Sequence, residues 1–255
     1  MGAAEFEKQR NVMVKSSALD GGCGIAADEL GNVFITWHAN DPAMAGPGGE
    51  GLGEESRSLW IARSADGGAT FSPEAPVPNL QLGACGCCGV DVAAGRGALH
   101  ILFRSAETSL RRNIHLVSSD DLGKTFRSRR VDDWEVVGCP GSTNKLALTD
   151  AGLIGAWETK DRVFWGKIGS TDAKPAPVSA SGRSQAEQTV AINKSNEVLV
   201  AWGEGTGWDQ GGSVVWQRFD AKGAPVGEPE RGDGLPAHGA IAAAATPAGK
   251  FVVLY

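Results

Sequence analysis

The sequence holds one tyrosine, three methionines and four histidines in 255 residues. It has no apolar run near the roughly 20 residues a membrane helix needs. It lacks stretches with apolar residues at i, i+3, i+4 and i+7, so helical bundles and coiled coils are excluded. The net charge is −6, and the densest basic spots, Arg111-Arg112 and Arg127 to Arg130, are brief. Nucleic-acid binding ordinarily leaves a basic stripe, and none is present. Met1 to Arg10 is polar, without the apolar core of a secretory leader.

Glycine is plentiful, with 36 residues and no collagen period. The glycines fall between short β-branched and aromatic runs, which is the pattern of strands joined by tight turns. The runs recur. Gly31 to Trp37 matches Gly97 to Phe103, Ala151 to Trp157, Asn196 to Trp202 and Gly249 to Tyr255, and each copy ends on an aromatic residue. An Ala-rich or apolar segment precedes each copy, and two further strand candidates follow most of them. Four strands per unit at a period near 50 residues predicts an all-β single domain, a five-bladed propeller. The blades are expected at roughly 20–80, 81–135, 136–180, 181–233 and 234–255. The fifth unit has only two strands of its own, so residues 6–19, with Asn11 to Ser16, are expected to complete it and close the ring. A truncated six-bladed propeller is the alternative.

Two eight-residue segments share the form Ser-x-Asp-x-Gly-x-Thr-Phe. One carries Ser64, Asp66, Gly68, Thr70 and Phe71; the other carries Ser119, Asp121, Gly123, Thr125 and Phe126. Each follows a third-strand candidate. The Ser and Asp are suited to satisfying backbone donors in a tight turn, and the Gly to a positive φ. Asp220 to Gly223 is a degenerate third copy. On these motifs the chain resembles the Asp-box (BNR-repeat) sialidase-like propellers, and the resemblance runs through the repeats over essentially the whole chain. It implies a fold rather than an activity. The family's enzymes use an arginine triad, an acidic acid/base residue and a tyrosine nucleophile. Here the one tyrosine, Tyr255, sits at a packing position of the repeat, and no arginine triad can be placed.

The five cysteines are Cys23, Cys85, Cys87, Cys88 and Cys139. Counted back from the terminal aromatic of each repeat, they fall in the turns leading into the innermost strands. His238 occupies the equivalent place in the last unit. In a propeller these turns converge on one mouth of the axial channel. His38, Arg104, Glu158 and Glu204 follow the second strands and are expected to rim the same mouth. The Asp-box segments are expected at the opposite end. Gly83 to Gly89 and Gly138 to Pro140 also resemble a Cys-x-Cys-Cys and Cys-Pro pairing in bacterial Asp-box propellers of unclear function, which implies a linked site.

Thiolates with an imidazole favour soft or borderline ions. Our leading expectation is a non-hydrolytic binding protein whose metal site for copper(I) or zinc is built from Cys23, Cys85, Cys87, Cys88, Cys139 and His238. One alternative is a glycan-binding or glycoside-hydrolase-like protein using the same cleft, with His38, Arg104, Glu158, Glu204 and the loop aromatic Trp208 as contacts. A second is an interaction scaffold stapled by two disulfides; a catalytic thiol with His38 or His238 as base is a further reading. The glycine-rich loop Asn40 to Arg57 is expected to lie over the mouth as a lid. A cysteine cluster suits an oxidising compartment, so we expect a periplasmic or extracellular location, with the leader absent from this sequence. The expected partners are a metal ion or a small-molecule or glycan ligand, without nucleic acid or membrane insertion.

Overall fold

The structure is a computed structural model that describes residues 7–41, 53–137, 141–170, 175–179, 182–207, 209–237 and 239–255. It is a β-propeller of five antiparallel sheets. The first sheet runs β1 (Cys23–Ala27), β2 (Val33–Asn40), β3 (Arg57–Ser64) and β4 (Ala75–Pro76). The second runs β5 (Asp91–Gly95), β6 (Ala98–Arg104), β7 (Ile114–Ser119) and β8 (Arg127–Asp132). The third comprises β9 (Asn144–Thr149), β10 (Gly152–Thr159), β11 (Arg162–Lys167) and β12 (Ala176–Pro177). The fourth comprises β13 (Gln185–Ile192), β14 (Val198–Glu204), β15 (Gly212–Phe219) and β16 (Pro225–Leu235). The fifth sheet, among the described residues, is the pair β17 (Ala242–Ala245) and β18 (Phe251–Leu254).

Neighbouring sheets meet face to face around the axis, with β1 against β5, β5 against β9, β9 against β13 and β13 against β17. Each junction has its own apolar cluster. Phe34 and Leu59 pack on Leu99, Ile101 and Phe103 between the first two sheets. Leu102 and Leu116 pack on Leu153 and Trp157 at the next junction, and Ile154 and Trp165 on Val200 and Trp202 at the third. Leu199 and Val214 meet Ile241, Phe251 and Val253 at the fourth. The repeat tryptophans Trp37, Trp157 and Trp202 are fully buried, as packing residues should be. Close approach at the axis requires small residues. A Cβ on Gly24 would lie 3.0 Å from the Asp91 backbone, so β1 and β5 touch there through glycine.

The two Ser-x-Asp segments form matching turns. Ser64 Oγ accepts from Gly68 N at 2.8 Å, and Asp66 accepts from Thr70 N at 2.8 Å and from Thr70 Oγ1 at 2.6 Å. Ser119, Asp121, Gly123 and Thr125 repeat the pattern, with 2.8 Å for Gly123 N to Ser119 Oγ. The glycines take φ of 91° and 85°. These hydrogen bonds, from Ser64 first, hold the Asp66 carboxyl down at about 2. Strand direction puts both turns at the β1–β2 hairpin end of the sheets, where Val33 pairs with Ser64 and Gly67 N donates to Gly31 O. The cysteine segment lies at the other end, as the repeat phase predicts.

The expectation of an N-terminal closing strand is corrected. Residues 11–16 form no strand, and they run along the first sheet, held by Glu74 and packed on Trp37 and Trp60. Glu74 is the anchor: its Oε1 accepts from the backbone N–H of Val14, Lys15 and Ser16, and its Oε2 from Ser16 Oγ at 2.7 Å. Ser16 Oγ in turn accepts from Trp37 Nε1 at 3.0 Å. Val12 and Met13 cover a face made by Trp37, Ala39, Trp60 and Ala62. The physical reason is that two large indoles at an end sheet must be buried, and the local segment covers them. Ile25, Leu254 and Tyr255 are left exposed on the flanking sheets.

Replacing Glu74 by Ala orphans three backbone donors, at about 1–3 kcal/mol for the buried part of that loss. We expect a lower unfolding midpoint and faster tryptic cleavage at Lys8, Arg10 and Lys15. An unchanged cleavage pattern would show that Glu74 does not hold the segment.

Candidate functional site

The turns leading into the innermost strands are tied into a belt around the axial mouth. Gly21 N donates to Gly86 O at 2.7 Å, and Gly89 N to Ser142 O at 3.0 Å. Asn144 Nδ2 donates to Gly89 O at 2.6 Å, and Gln188 Nε2 to Thr143 O at 2.5 Å. Four sheets thus contribute to one ring, which is the convergence expected from the cysteine phase. Gly21 is needed there, because a Cβ on it would stand 2.3 Å from Cys88 O.

Within the belt, the sulfur atoms of Cys85, Cys87 and Cys88 lie within 4.8 Å of one another. Cys87 is disulfide-bonded. Cys85 and Cys88 are free and buried, and Cys23 is free but exposed and apart from this group. A sulfur held in a disulfide is no thiolate, so Cys87 is not a metal ligand in this state. Three free cysteines out of five also leave room for only one intramolecular disulfide, not the two of the stapled alternative. Cys139, His238 and Trp208 lie outside the described residues.

His38 sits beneath the belt rather than in an open cleft. It is 1% exposed; Arg57 Nε donates to its Nδ1 at 3.4 Å, and its Nε2 lies 2.8 Å from Cys88 O. An accepting Nδ1 places the proton on Nε2, which donates to the carbonyl. Burial lowers the His38 imidazole below its usual value. The ring therefore supports the cysteine backbone and offers no base to a thiol. Glu54, from the end of the expected lid loop, docks here too. Its Oε1 accepts from Gly86 N at 2.8 Å and its Oε2 pairs with Arg112 at 2.7 Å. Most of that loop, residues 42–52, lies outside the described residues.

Arg104 is 1% exposed at the end of β6 and spends its donors inside the protein. Nε donates to Ser142 Oγ at 3.2 Å, one terminal nitrogen to Arg112 O at 2.7 Å and the other to Glu158 O. Its carbon Cζ stands 4.9 Å from the Trp134 ring centre. Glu204 is also buried, accepting from Trp202 Nε1 at 3.3 Å and pairing with Arg231.

Glu158 is different. It is 4% exposed at the end of β10, yet it lines a cavity of about 220 Å³ with Asp161, Gln185, Ser184, Glu187 and Thr206. Burial pushes its carboxyl up to about 8, against the pull of the Arg104 charge, with the charges of Cys88 and Asp161 adding to the rise. Asp161 reaches the cavity through the two-residue turn Lys160-Asp161, with φ of 56° and 58°, the conformation of a tight hairpin turn. A bulge between Ala186 and Thr189 in β13 presents Glu187 at the same wall. Bulges commonly re-aim side chains next to sites. Gln185 stands in the same repeat phase as Cys85, at the turns converging on the mouth; sequence reasoning missed Asp161, Glu54 and Arg112, for which the Lys160-Asp161 turn between two apolar runs was the one readable signal. A cavity of about 530 Å³ between the third and fourth sheets lies at the opposite end of the axis, against the Asp220–Gly223 turn. It holds no buried carboxyl, and Asp220 is committed to its own turn.

No protein-family model and no curated protein sequence matches the chain. Solved structures do. An α-L-arabinofuranosidase of Fusarium graminearum bound to arabinobiose matches with a TM-score of 0.62 and 15% identity, over 91% of this chain and 73% of that one. The fold they share with this chain is a β-propeller. An α-L-arabinanase of Penicillium chrysogenum with arabinobiose matches at a TM-score of 0.61 and 14% identity, over 91% and 74%. A protein of unknown function from Dyadobacter fermentans matches at 0.56 and 12%, over 91% and 73%. At these identities the likeness is one of fold. The Asp-box family itself stays a resemblance of motifs.

Glu158 makes stability depend on pH. Its folded value, about 8, lies above the ordinary 4.5, so the folded state binds the proton more tightly. That contribution is complete below pH about 4.5 and is lost as pH rises through about 8, up to about 5 kcal/mol. We expect the urea midpoint of wild type to fall relative to Glu158→Gln between pH 5 and 8.5. Parallel profiles would contradict a raised Glu158.

Proposed function

We propose that the protein binds a carbohydrate at the axial mouth, with Glu158 as a proton-donating carboxyl and Asp161 as the second carboxyl of a glycoside-hydrolase-like site. The observation that carries this reading is Glu158, a buried carboxyl that burial raises to about 8, lining a polar cavity. A neutral carboxyl beside an acidic neighbour is the pairing that lets one group donate a proton while the other carries charge. A cavity of about 220 Å³ is smaller than the roughly 300–1,000 Å³ of drug-sized sites and suits one sugar unit. Ser184 and Thr206 line the cavity with hydroxyls of the kind sugar hydroxyls need, while the buried Gln185 amide is spent on Val163 N and Ser179 Oγ. The two fungal structures that share the fold were solved with arabinobiose, which supports the substrate class. A periplasmic or extracellular location goes with this reading, supported by the Cys87 disulfide. Copper(I) or zinc is left out of the proposal, because an oxidised Cys87 leaves two free thiols in the sulfur cluster.

The test is calorimetric titration with arabinobiose and a disaccharide panel, followed by a nitrophenyl glycoside panel. We expect binding that Asp161→Asn weakens. We expect hydrolysis that Glu158→Gln reduces about 10²–10⁴-fold, the usual worth of a general acid. The rate should decline above pH about 8 as Glu158 ionises. Absence of binding to every sugar at millimolar concentration would sink the reading.

A further inference from the structure

The carbohydrate reading makes no use of the sulfur cluster, and the inference drawn from it is independent of that reading. We propose that Cys85, Cys87 and Cys88 form a thiol–disulfide exchange centre, in which the Cys85 thiol displaces the sulfur now bonded to Cys87. The Sγ atoms of Cys85 and Cys87 are 3.6 Å apart, so a free thiol stands in contact with a disulfide sulfur. Cys88 Sγ is 3.9 Å from Cys87 Sγ on its other side. Three cysteines with two oxidation partners for one sulfur make a branch point rather than a plain staple.

Cys85 is the attacking group by geometry. Residues adjacent in the chain have Cα atoms about 3.8 Å apart, below the roughly 4.4–6.8 Å usual for a disulfide. A Cys87–Cys88 bridge would therefore be strained, whereas Cys85 and Cys87 are separated by the small residue Gly86. Cys88 serves as the base. The hydrogen bond from Cys85 lowers the Cys88 thiol to about 6 against its burial, and the Arg104 charge adds to the effect. The same pairing and burial push Cys85 well up. The pair thus shares one proton, held on Cys85.

The step balances within the protein. The proton of Cys85 passes to the Cys88 thiolate as Cys85 Sγ bonds to Cys87 Sγ. The old Cys87 disulfide breaks, and its other sulfur leaves as a thiolate. One disulfide, one thiol and one thiolate of the set are present before and after, so no external oxidant or reductant is consumed. Cys85 and Cys88 are 0% and 1% exposed, which shields both from external thiols, while Cys87 is half-buried at the mouth.

Residues 64–96 form one tryptic peptide that contains all three cysteines. The full chain is incubated without reductant at pH 5 to 9, quenched in acid, alkylated and digested without reduction. Mass spectrometry should then find this peptide in two forms: one joined to a second peptide, and one carrying an internal disulfide with Cys88 alkylated. We expect the internal form in on the order of 10% of chains, as for a minor state. Cys85→Ser should abolish it, and Cys88→Ser should slow its formation about tenfold. The proposal fails if wild type yields only the joined form, with Cys85 and Cys88 both alkylated, at every pH. It fails equally if the internal form persists in Cys85→Ser. The wild-type arm stands even if a variant does not fold.

Discussion

The guanidinium of Arg104 is the interaction on which the axial mouth depends. A buried cation is tolerated only when its donors are satisfied, since the desolvation penalty is several kcal/mol. Here they go to Ser142, Arg112 O and Glu158 O, and Trp134 lies against the group. Those partners come from the second and third sheets, so one side chain fixes the distance between two blades. It also supplies the positive charge around which two acids, Cys88 and Glu158, are arranged.

Arg104 pulls both acids down, yet their net shifts are opposite because their surroundings differ. Cys88 has a thiol neighbour that donates to it, and its proton is released easily. Glu158 has burial and two negative neighbours, and it keeps its proton. The thiolate of Cys88 is one of those neighbours. Any exchange that protonates Cys88 removes a negative charge near Glu158 and lowers its value. Sulfur chemistry and proton donation at the mouth are therefore electrostatically linked through a path of Cys88, Ser142, Arg104 and Glu158, with Cys88 Sγ 3.7 Å from Ser142 Oγ.

The repeating apolar runs made the sheets legible in the sequence, because strand pairing and blade packing depend on local pattern. The phase of Cys85 and Cys88 against the terminal aromatics located the mouth correctly for the same reason. The path of residues 11–16 was not legible: whether they complete the fifth sheet or cover Trp37 and Trp60 is a contest between edge pairing and indole burial, and only the assembled fold decides it. The burial of Arg104, His38 and Glu204 was hidden too. Their spacing gave the correct end of the propeller but not whether each head group faces solvent or a carbonyl. Asp161 entered the site through a hairpin turn whose partners, such as Gln185, lie in another blade.

Chemistry at the mouth depends most on whether Glu158, raised to about 8 by burial, keeps its proton at neutral pH in a polar cavity. The most direct measurement is a carbon-13 carboxyl NMR titration of the wild-type chain, with the Glu158 resonance assigned through Glu158→Gln. A midpoint near 8 is the predicted result. A midpoint in the ordinary glutamate range, near 4.5, would contradict it.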